Sequence, residues 1–259
     1  MLHDTQSQRD ARGIAIDRVG VKNLRFPLRI RDRDQAEQGT VATVSLAVDL
    51  PHHFKGTHMS RFIEVLHAHG HVVTVAGIAA MPGELMSRLH AEKAHVEFRF
   101  PWFRRKKAPA SGAEGLLDYG VIFEVNGERD AVDFVVTVQV PVATLCPCSK
   151  AISDRGAHNQ RGVVTFSVRF STPIWIEELV ELVESSASCE LYSLLKRPDE
   201  KLVTERAYDN PVFVEDLVRN VASKAAQHSQ ITWFRVEAEN FESIHNHNAY
   251  AVIEQQLVR

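Results

Sequence analysis

The chain has 259 residues, of which 44% are hydrophobic and 24% charged, a balance that suits one large core or two smaller ones and excludes disordered and fibrous classes. Its formal net charge of −3 gives no support for broad nucleic-acid binding, so any anion site has to be a local patch. Three cysteines are too few and too odd a number for a disulfide framework; two of them stand as Cys-x-Cys, which suits a reducing compartment and a metal or redox role. Residues 1–13 are polar and lack an apolar core segment, and the longest nearly apolar run, 72–81, is too short to span a bilayer. A cytoplasmic protein with no membrane partner is expected.

After the polar leader, residues 19–29 and 41–50 have the alternating, β-branched character of strands, and the charged stretch 32–39 between them makes a hairpin. Met59, Phe62, Ile63 and Leu66 recur at helical spacing, and 76–91 reads as a second helix. Strands follow at 96–102 and 117–125. Between them, 104–115 begins basic and turns small and flexible, which predicts a solvated hairpin loop. Strands return at 131–140 and 163–170, where Val164, Phe166, Val168 and Phe170 alternate with polar residues. Residues 175–186 and 211–228 read as helices. The second carries Val214, Leu217, Val218, Val221, Ala222 and Ala225 on one stripe, with Asn210 and Pro211 as its N-cap and first turn. Strands at 231–239 and 249–258 close the chain. The order is strand-strand-helix-helix-strand-strand, twice. It predicts an α+β fold of two modules, 1–128 and 129–259, meeting near 126–130.

Two short knots carry the chemistry. Leu145-Cys146-Pro147-Cys148-Ser149-Lys150 follows directly on a strand, with His158 downstream, and Glu242-Ser243-Ile244-His245-Asn246-His247 connects two strands. Thiolate, imidazole and carboxylate together suit a borderline-soft divalent ion, and such a mixed set is more often catalytic than structural. Taken singly, each knot has a plainer reading: an inert buried cysteine pair, and a polar turn shaped by Asn246 and Asn248. Alternate direction along extended chain allows one of Cys146 and Cys148 to be ligand or nucleophile and the other its support. Cys189 reads as a buried helix residue. Lys55-Gly56-Thr57-His58-Met59-Ser60-Arg61-Phe62 puts cations at a helix start, either a phosphate seat or a Thr-capped start with solvated charges. Glu215 by itself reads as a surface acid. No helical His-Glu-x-x-His signature, glycine-rich phosphate loop or Ser-His-Asp ordering occurs.

The segments KGTHMSRF, TLCPCSKAIS with GAHNQRG, NPVFVEDLVR and ENFESIHNHNAYA together resemble GTP cyclohydrolase IB over nearly the whole chain. The resemblance implies a tunnelling fold: two tandem ββααββ modules of antiparallel sheet with helices on one face, assembled into a barrel-like homotetramer with active sites at interfaces. It implies the conversion of GTP and water into formate and 7,8-dihydroneopterin triphosphate, the opening step of folate and pterin synthesis. One divalent ion per site, zinc, manganese or iron, would activate water against C8 of guanine. Cys146, Glu200, Glu242 and His245 are the implied ligands, with Cys148 and His247 in support, and His158 is the implied proton shuttle. Glu215 would hold the guanine N1–H and 2-amino group, and Lys55, His58, Arg61, Lys150 and Arg206 would bind the rest of the nucleotide. The alternatives are a 7-cyano-7-deazaguanine reductase, whose cysteine would be a nucleophile working with NADPH and no metal, and a non-catalytic metal-stabilised module.

Overall fold

The computed structural model describes residues 6, 8–33, 37–69, 72–129 and 131–258. Parts of three expectations therefore lie outside the described residues: 1–5 and 7 of the polar leader, 34–36 of the first hairpin loop, and 130 at the expected module boundary. Two compact units form, one from Met1–Pro101 with Ile122–Val136, the other from Trp102–Val121 with Thr137–Arg259. Among the described residues no helix is long and apolar enough to cross a membrane.

In the first unit β1 (Ile16–Arg31) and β2 (Glu37–Leu50) form an antiparallel hairpin, with Phe26 opposite Ala42. α1 (Met59–Ala68), the two-residue β3 (Val72–Val73) and α2 (Val75–Leu89) follow. Then come parts of β4 (Lys93–Lys107), β5 (Glu114–Glu128) and β6 (Ala131–Leu145), giving the strand order β3-β1-β2-β4-β5-β6. Alternation decides which face is buried: Ala42, Val44, Leu46 and Val48 of β2 and Val96, Phe98 and Phe100 of β4 are inside. At ten residues α1 is too short to persist alone in water. Burial of Phe62, Val65 and Leu66, at about 1.5–3 kcal/mol each, is what holds it on the sheet. α2 is tied at its start by Gly77 N–H donating to Thr74 Oγ1, 3.1 Å, and ends where His90 turns left-handed at φ 55°.

The second unit is built on β4, β5 and β6, with β7 (Asn159–Phe170), β9 (Ile231–Asn240) and β10 (Ala249–Gln256) following in that order. β8 (Cys189–Glu190) pairs with β6. β9 runs antiparallel to both β7 and β10, and Val164, Phe166, Val168, Phe234, Val236 and Ala238 turn inward. α4 (Ile176–Glu184) and α6 (Val214–Gln227) cover that face; the buried residues of α6 are the six read from its stripe. α3 (Pro147–Ile152) and α5 (Arg197–Asp209) complete the unit.

Four local expectations need correction. Asn210 does not open α6, which begins after Phe213; it is the C-cap of α5, and its side chain donates back to Ala187 O, 2.9 Å. Thr57 does not cap α1: His58 stands at that position and supplies no side-chain cap, while Thr57 itself is buried. Cys189 is buried as expected, but on a strand and not a helix. Burial, then the neighbouring Glu190 carboxylate, pushes its thiol up to about 11, so it stays protonated at neutral pH and makes a poor metal ligand.

The fourth concerns 104–115, a hairpin that is solvated on one side only: Arg105, Lys107 and residues 110–112 are exposed, while Arg104 and Lys106 are not. β4 runs through Lys107 and β5 starts at Glu114, and alternate cations pair differently: Arg104 with Glu181 and Lys106 Nζ with Glu184 Oε1 at 2.7 Å, whereas the exposed Arg105 and Lys107 meet Glu114 within the hairpin. The tip docks on α5. Asp199 is fully buried and accepts from Ala110 N, Ser111 N, Ser111 Oγ and Lys196 N at 2.6 to 2.8 Å. Burial alone would raise its carboxyl, but those donors outweigh it and hold the pKa well below the usual aspartate range. A depressed folded-state pKa stabilises above the unfolded value, about 3.9, and the benefit is lost as pH falls through the folded one. Asp199→Ala should accordingly lower the unfolding midpoint at neutral pH, with a deficit that narrows in acid. Calorimetry across that range checks it; a deficit independent of pH would assign the loss to packing.

Candidate active site

The end of β6 is clamped before it reaches the first knot. Leu145 N–H donates to Ser188 Oγ, 3.0 Å, and Leu145 O accepts from Val212 N–H, 3.1 Å. Cys146 comes next as the N-cap of α3, where Pro147 suits the first helical turn because it has no N–H to leave unpaired. Cys146 N–H donates to His158 O, 3.1 Å, and Ser149 answers twice: its N–H points at Cys146 Sγ, 3.4 Å, and its Oγ accepts from His158 N–H, 3.0 Å. Cys146 and His158, twelve residues apart in sequence, are thereby held side by side.

The second knot occupies the loop between β9 and β10. Phe241 N–H donates to Arg161 O, 2.9 Å, at its start, and Asn248 Nδ2 donates to Glu239 Oε1, 2.7 Å, across its ends. The His245 and His247 rings stack at 5.1 Å with 18° between their planes. These segments meet around one cavity of about 270 Å³, lined by Cys146, His158, Gln160, Glu215, Asn240, Glu242, His245 and His247 among others. Glu215 reaches it from the first turn of α6; helix periodicity had marked it as a surface acid, and it is indeed exposed, at the edge of this cavity.

The remaining candidates stand elsewhere. Cys148 is exposed on α3. Glu200 is exposed on the first turn of α5 and does not line this cavity. Lys150 Nζ donates to Tyr208 O and lies 4.3 Å from that ring's centre. Arg206 Nη1 donates to Glu190 Oε1, 2.7 Å; burial would raise the Glu190 carboxyl, but Tyr192 and Arg206 together hold it low. Lys55, His58 and Arg61 belong to the first unit, where Lys55 Nζ donates to Gln8 Oε1, 3.2 Å, and Arg61 Nη1 to Arg88 O, 2.7 Å.

Two polar lining residues escaped sequence reasoning. Asn240 continues the inward alternation Phe234, Val236, Ala238, which puts an amide in a buried slot, and that was the available signal. It is only 2% exposed, and among the described residues its Oδ1 has no hydrogen-bond partner. Gln160 stands two residues beyond His158 on β7 and so shares its side of the strand.

The donors fit a metal. One thiol, three imidazoles and a carboxylate, from Cys146, His158, His245, His247 and Glu242, line the same cavity, and the buried Asn240 oxygen adds an acceptor without a partner. Among the described residues no three ligand-type side chains stand close enough to share an ion as arranged here, so the fit lies in donor chemistry and not in a preformed shell.

Residues 2–251 match the family model of the type I GTP cyclohydrolase folE2. The chain is 65% identical over 259 residues to a GTP cyclohydrolase FolE2 of Akkermansia muciniphila, covering 99% of this chain and 98% of that one. It is 55% identical over 257 residues to the GTP cyclohydrolase FolE2 of Nitrosococcus oceani, covering 98% and 96%. Among solved structures it is similar to a uricase from Arthrobacter globiformis, with TM-score 0.54 and 9% identity over 94% of this chain and 93% of that chain. The Bacillus sp. TB-90 urate oxidase gives TM-score 0.55 and 8% identity over 93% of this chain and all of that one. Identity so low shows the fold alone: an α+β tunnelling fold with a large antiparallel sheet and helices on one face. A match over nearly the whole length at 65% shows more, and the chain belongs to the type I GTP cyclohydrolase FolE2 family.

Proposed function

We propose that this chain converts GTP and water into formate and 7,8-dihydroneopterin triphosphate, at the cavity where Cys146, His158, Glu215, Glu242, His245 and His247 face one another. That convergence is the observation that carries the reading, because the reaction needs a base anchor, a proton carrier and ligands for a water-activating ion at one place. The finer designation IB rests on the motifs that resemble it, and with it go tandem modules of about 130 residues each, a barrel-like homotetramer and a cytoplasmic location.

Glu215 presents two acceptor oxygens to the guanine N1–H and 2-amino group, a donor pair that adenine lacks. Anchoring that edge turns C8, at the far side of the purine, toward Cys146 and His158. His158 takes the proton from the attacking water and returns one to the leaving nitrogen, roles that imidazole fills on both sides of neutrality. Cys146, Glu242 and His245, with Glu200 as the proposed fourth ligand, would hold a zinc, manganese or iron ion, and such an ion lowers the pKa of water enough to supply hydroxide near neutrality. Cys148 and His247 support these ligands. Lys55, His58, Arg61, Lys150 and Arg206 are the proposed nucleotide contacts; Lys150 spends one of its three donors on Tyr208 and keeps two for phosphate oxygens.

His158→Asn tests the reading. It should bind GTP as before and release formate on the order of a hundredfold or more slowly, the usual scale for a general acid-base group. Lost binding with an unchanged rate per bound substrate would make His158 a phosphate contact instead.

A further inference from the structure

His158 is held through its backbone by Ser149 Oγ and Cys146 N–H, which leaves only the orientation and protonation of its ring to be set. The ring meets Gln160: Nδ1 lies 3.1 Å from Gln160 Oε1. The other end of that amide is spoken for, since Gln160 Nε2 donates to Thr144 Oγ1 at 2.9 Å, and Thr144 is fully buried at the end of β6. In this arrangement Gln160 turns its Nε2 to Thr144 and its Oε1 toward the imidazole, and an amide oxygen can only accept. The contact is a hydrogen bond only when Nδ1 carries the proton. Nε2 is then the nitrogen with the free lone pair.

We propose that Gln160 is a positioning residue which, braced by Thr144, holds His158 in the Nδ1–H form and so makes Nε2 its basic nitrogen; the proposal rests on the reading of His158 as the proton carrier. Neutral histidine in water favours the opposite tautomer, with the proton on Nε2, which could donate to an attacking water but not accept from it. The second nitrogen's hydrogen bond is what selects the tautomer of a functional histidine. The chain Thr144–Gln160–His158 works through neutral groups only, so it orients the ring without adding a charge beside the cavity.

The test has a spectroscopic and a kinetic arm, both on the full-length protein. In two-bond proton–nitrogen correlation spectra of protein labelled with ¹⁵N-histidine, the His158 signals, identified by their loss in His158→Asn, should show a protonated Nδ1 and an unprotonated Nε2. In Gln160→Leu, and in Thr144→Val, which removes the brace while keeping the shape, the pattern should move toward protonated Nε2. Gln160→Leu should lower kcat about tenfold to a hundredfold, the usual effect of losing a histidine's outer partner, with KM for GTP unchanged. The same substitution in a His158→Asn background should cost nothing further, because the two residues act as one unit. A protonated Nε2 in the unsubstituted protein overturns the proposal even if the variants do not fold. A raised KM at unchanged kcat overturns it too, and makes Gln160 a substrate contact. Full turnover by His158→Asn would sink the proton-carrier reading, while the spectrum still decides whether Gln160 selects the tautomer.

Discussion

Cys146→Ala is expected to abolish formate release from GTP while leaving a folded protein of unchanged oligomeric size. The fold survives because the bonds that clamp this strand end are made by backbone: Leu145 to Ser188 and Val212, and Cys146 N–H to His158 O, all of which an alanine retains. What the substitution removes from the fold is the Ser149 N–H contact to Sγ, at 3.4 Å. An N-cap of that kind is worth about 0.5–2 kcal/mol, small beside a global stability of about 5–15. Activity has no such reserve. A thiolate ligand contributes both charge and a soft donor that neither alanine nor water replaces. Formate release, elemental analysis and circular dichroism on one preparation decide the matter: retained turnover with full metal occupancy would take Cys146 out of the ligand set. Cys148, exposed one residue beyond Pro147, should tolerate alanine much better.

Glu215 carries the second large effect. Both Glu215→Ala and Glu215→Gln should reduce GTP binding to metal-loaded protein by about 2–5 kcal/mol, the cost of leaving two guanine donors unsatisfied in a desolvated pocket. At 1.4 kcal/mol per tenfold, that is roughly thirtyfold to several thousandfold in affinity. Glutamine keeps the volume but replaces one acceptor with an NH₂, which faces a guanine donor head-on, so it should fare little better than alanine. In the free chain the carboxylate is exposed at the first turn of α6, and the bound purine would have to be what shuts water out. Isothermal titration calorimetry distinguishes the outcomes. Near-normal affinity in both variants would return Glu215 to the surface acid its helix position suggests, and the base would have to be read elsewhere.

Much of the fold was legible because alternation and helical stripes report burial directly. Val164, Phe166 and Val168 of β7 and the six-residue stripe of α6 appear in the structure as they read in the chain, while Phe170, past a register shift at Arg169, is only half-buried. α5 was not legible: its buried residues are only Asp199 and Ala207, so no apolar period marks it, and a carboxylate and not a hydrophobic face anchors its start. In the run Arg104–Lys107, Arg105 and Lys107 are exposed as they read, but Arg104 and Lys106 misled for a related reason. Charge reads as solvent exposure unless the partners are known, and Glu181 and Glu184 lie more than seventy residues away. At the site, the cysteine, histidine and glutamate knots were legible by residue type. Gln160 and Thr144 were not, since amides and hydroxyls occur everywhere and acquire meaning only from the atom opposite; Asn240 offered only its place in the inward alternation of β9.

The docking of the hairpin tip on Asp199 has a consequence for the order in which the molecule can be made. A chain leaves the ribosome from its N-terminus, and the N–H groups of Ala110 and Ser111 wait for an acceptor 89 and 88 residues behind them. Until Asp199 emerges, the β4–β5 tip relies on local bonds such as Ala108 N to Ala113 O, Gly112 N to Ala108 O and Ala113 N to Ser111 Oγ to hold its shape. The first compact unit can close once Val136 is out. The second cannot finish until α6 and β9 have been synthesised as well, so β7, whose outer edge pairs with β9, spends that interval with that edge unpaired. Nascent chains stalled short of residue 199 are the stage at which this protein is most in need of a chaperone.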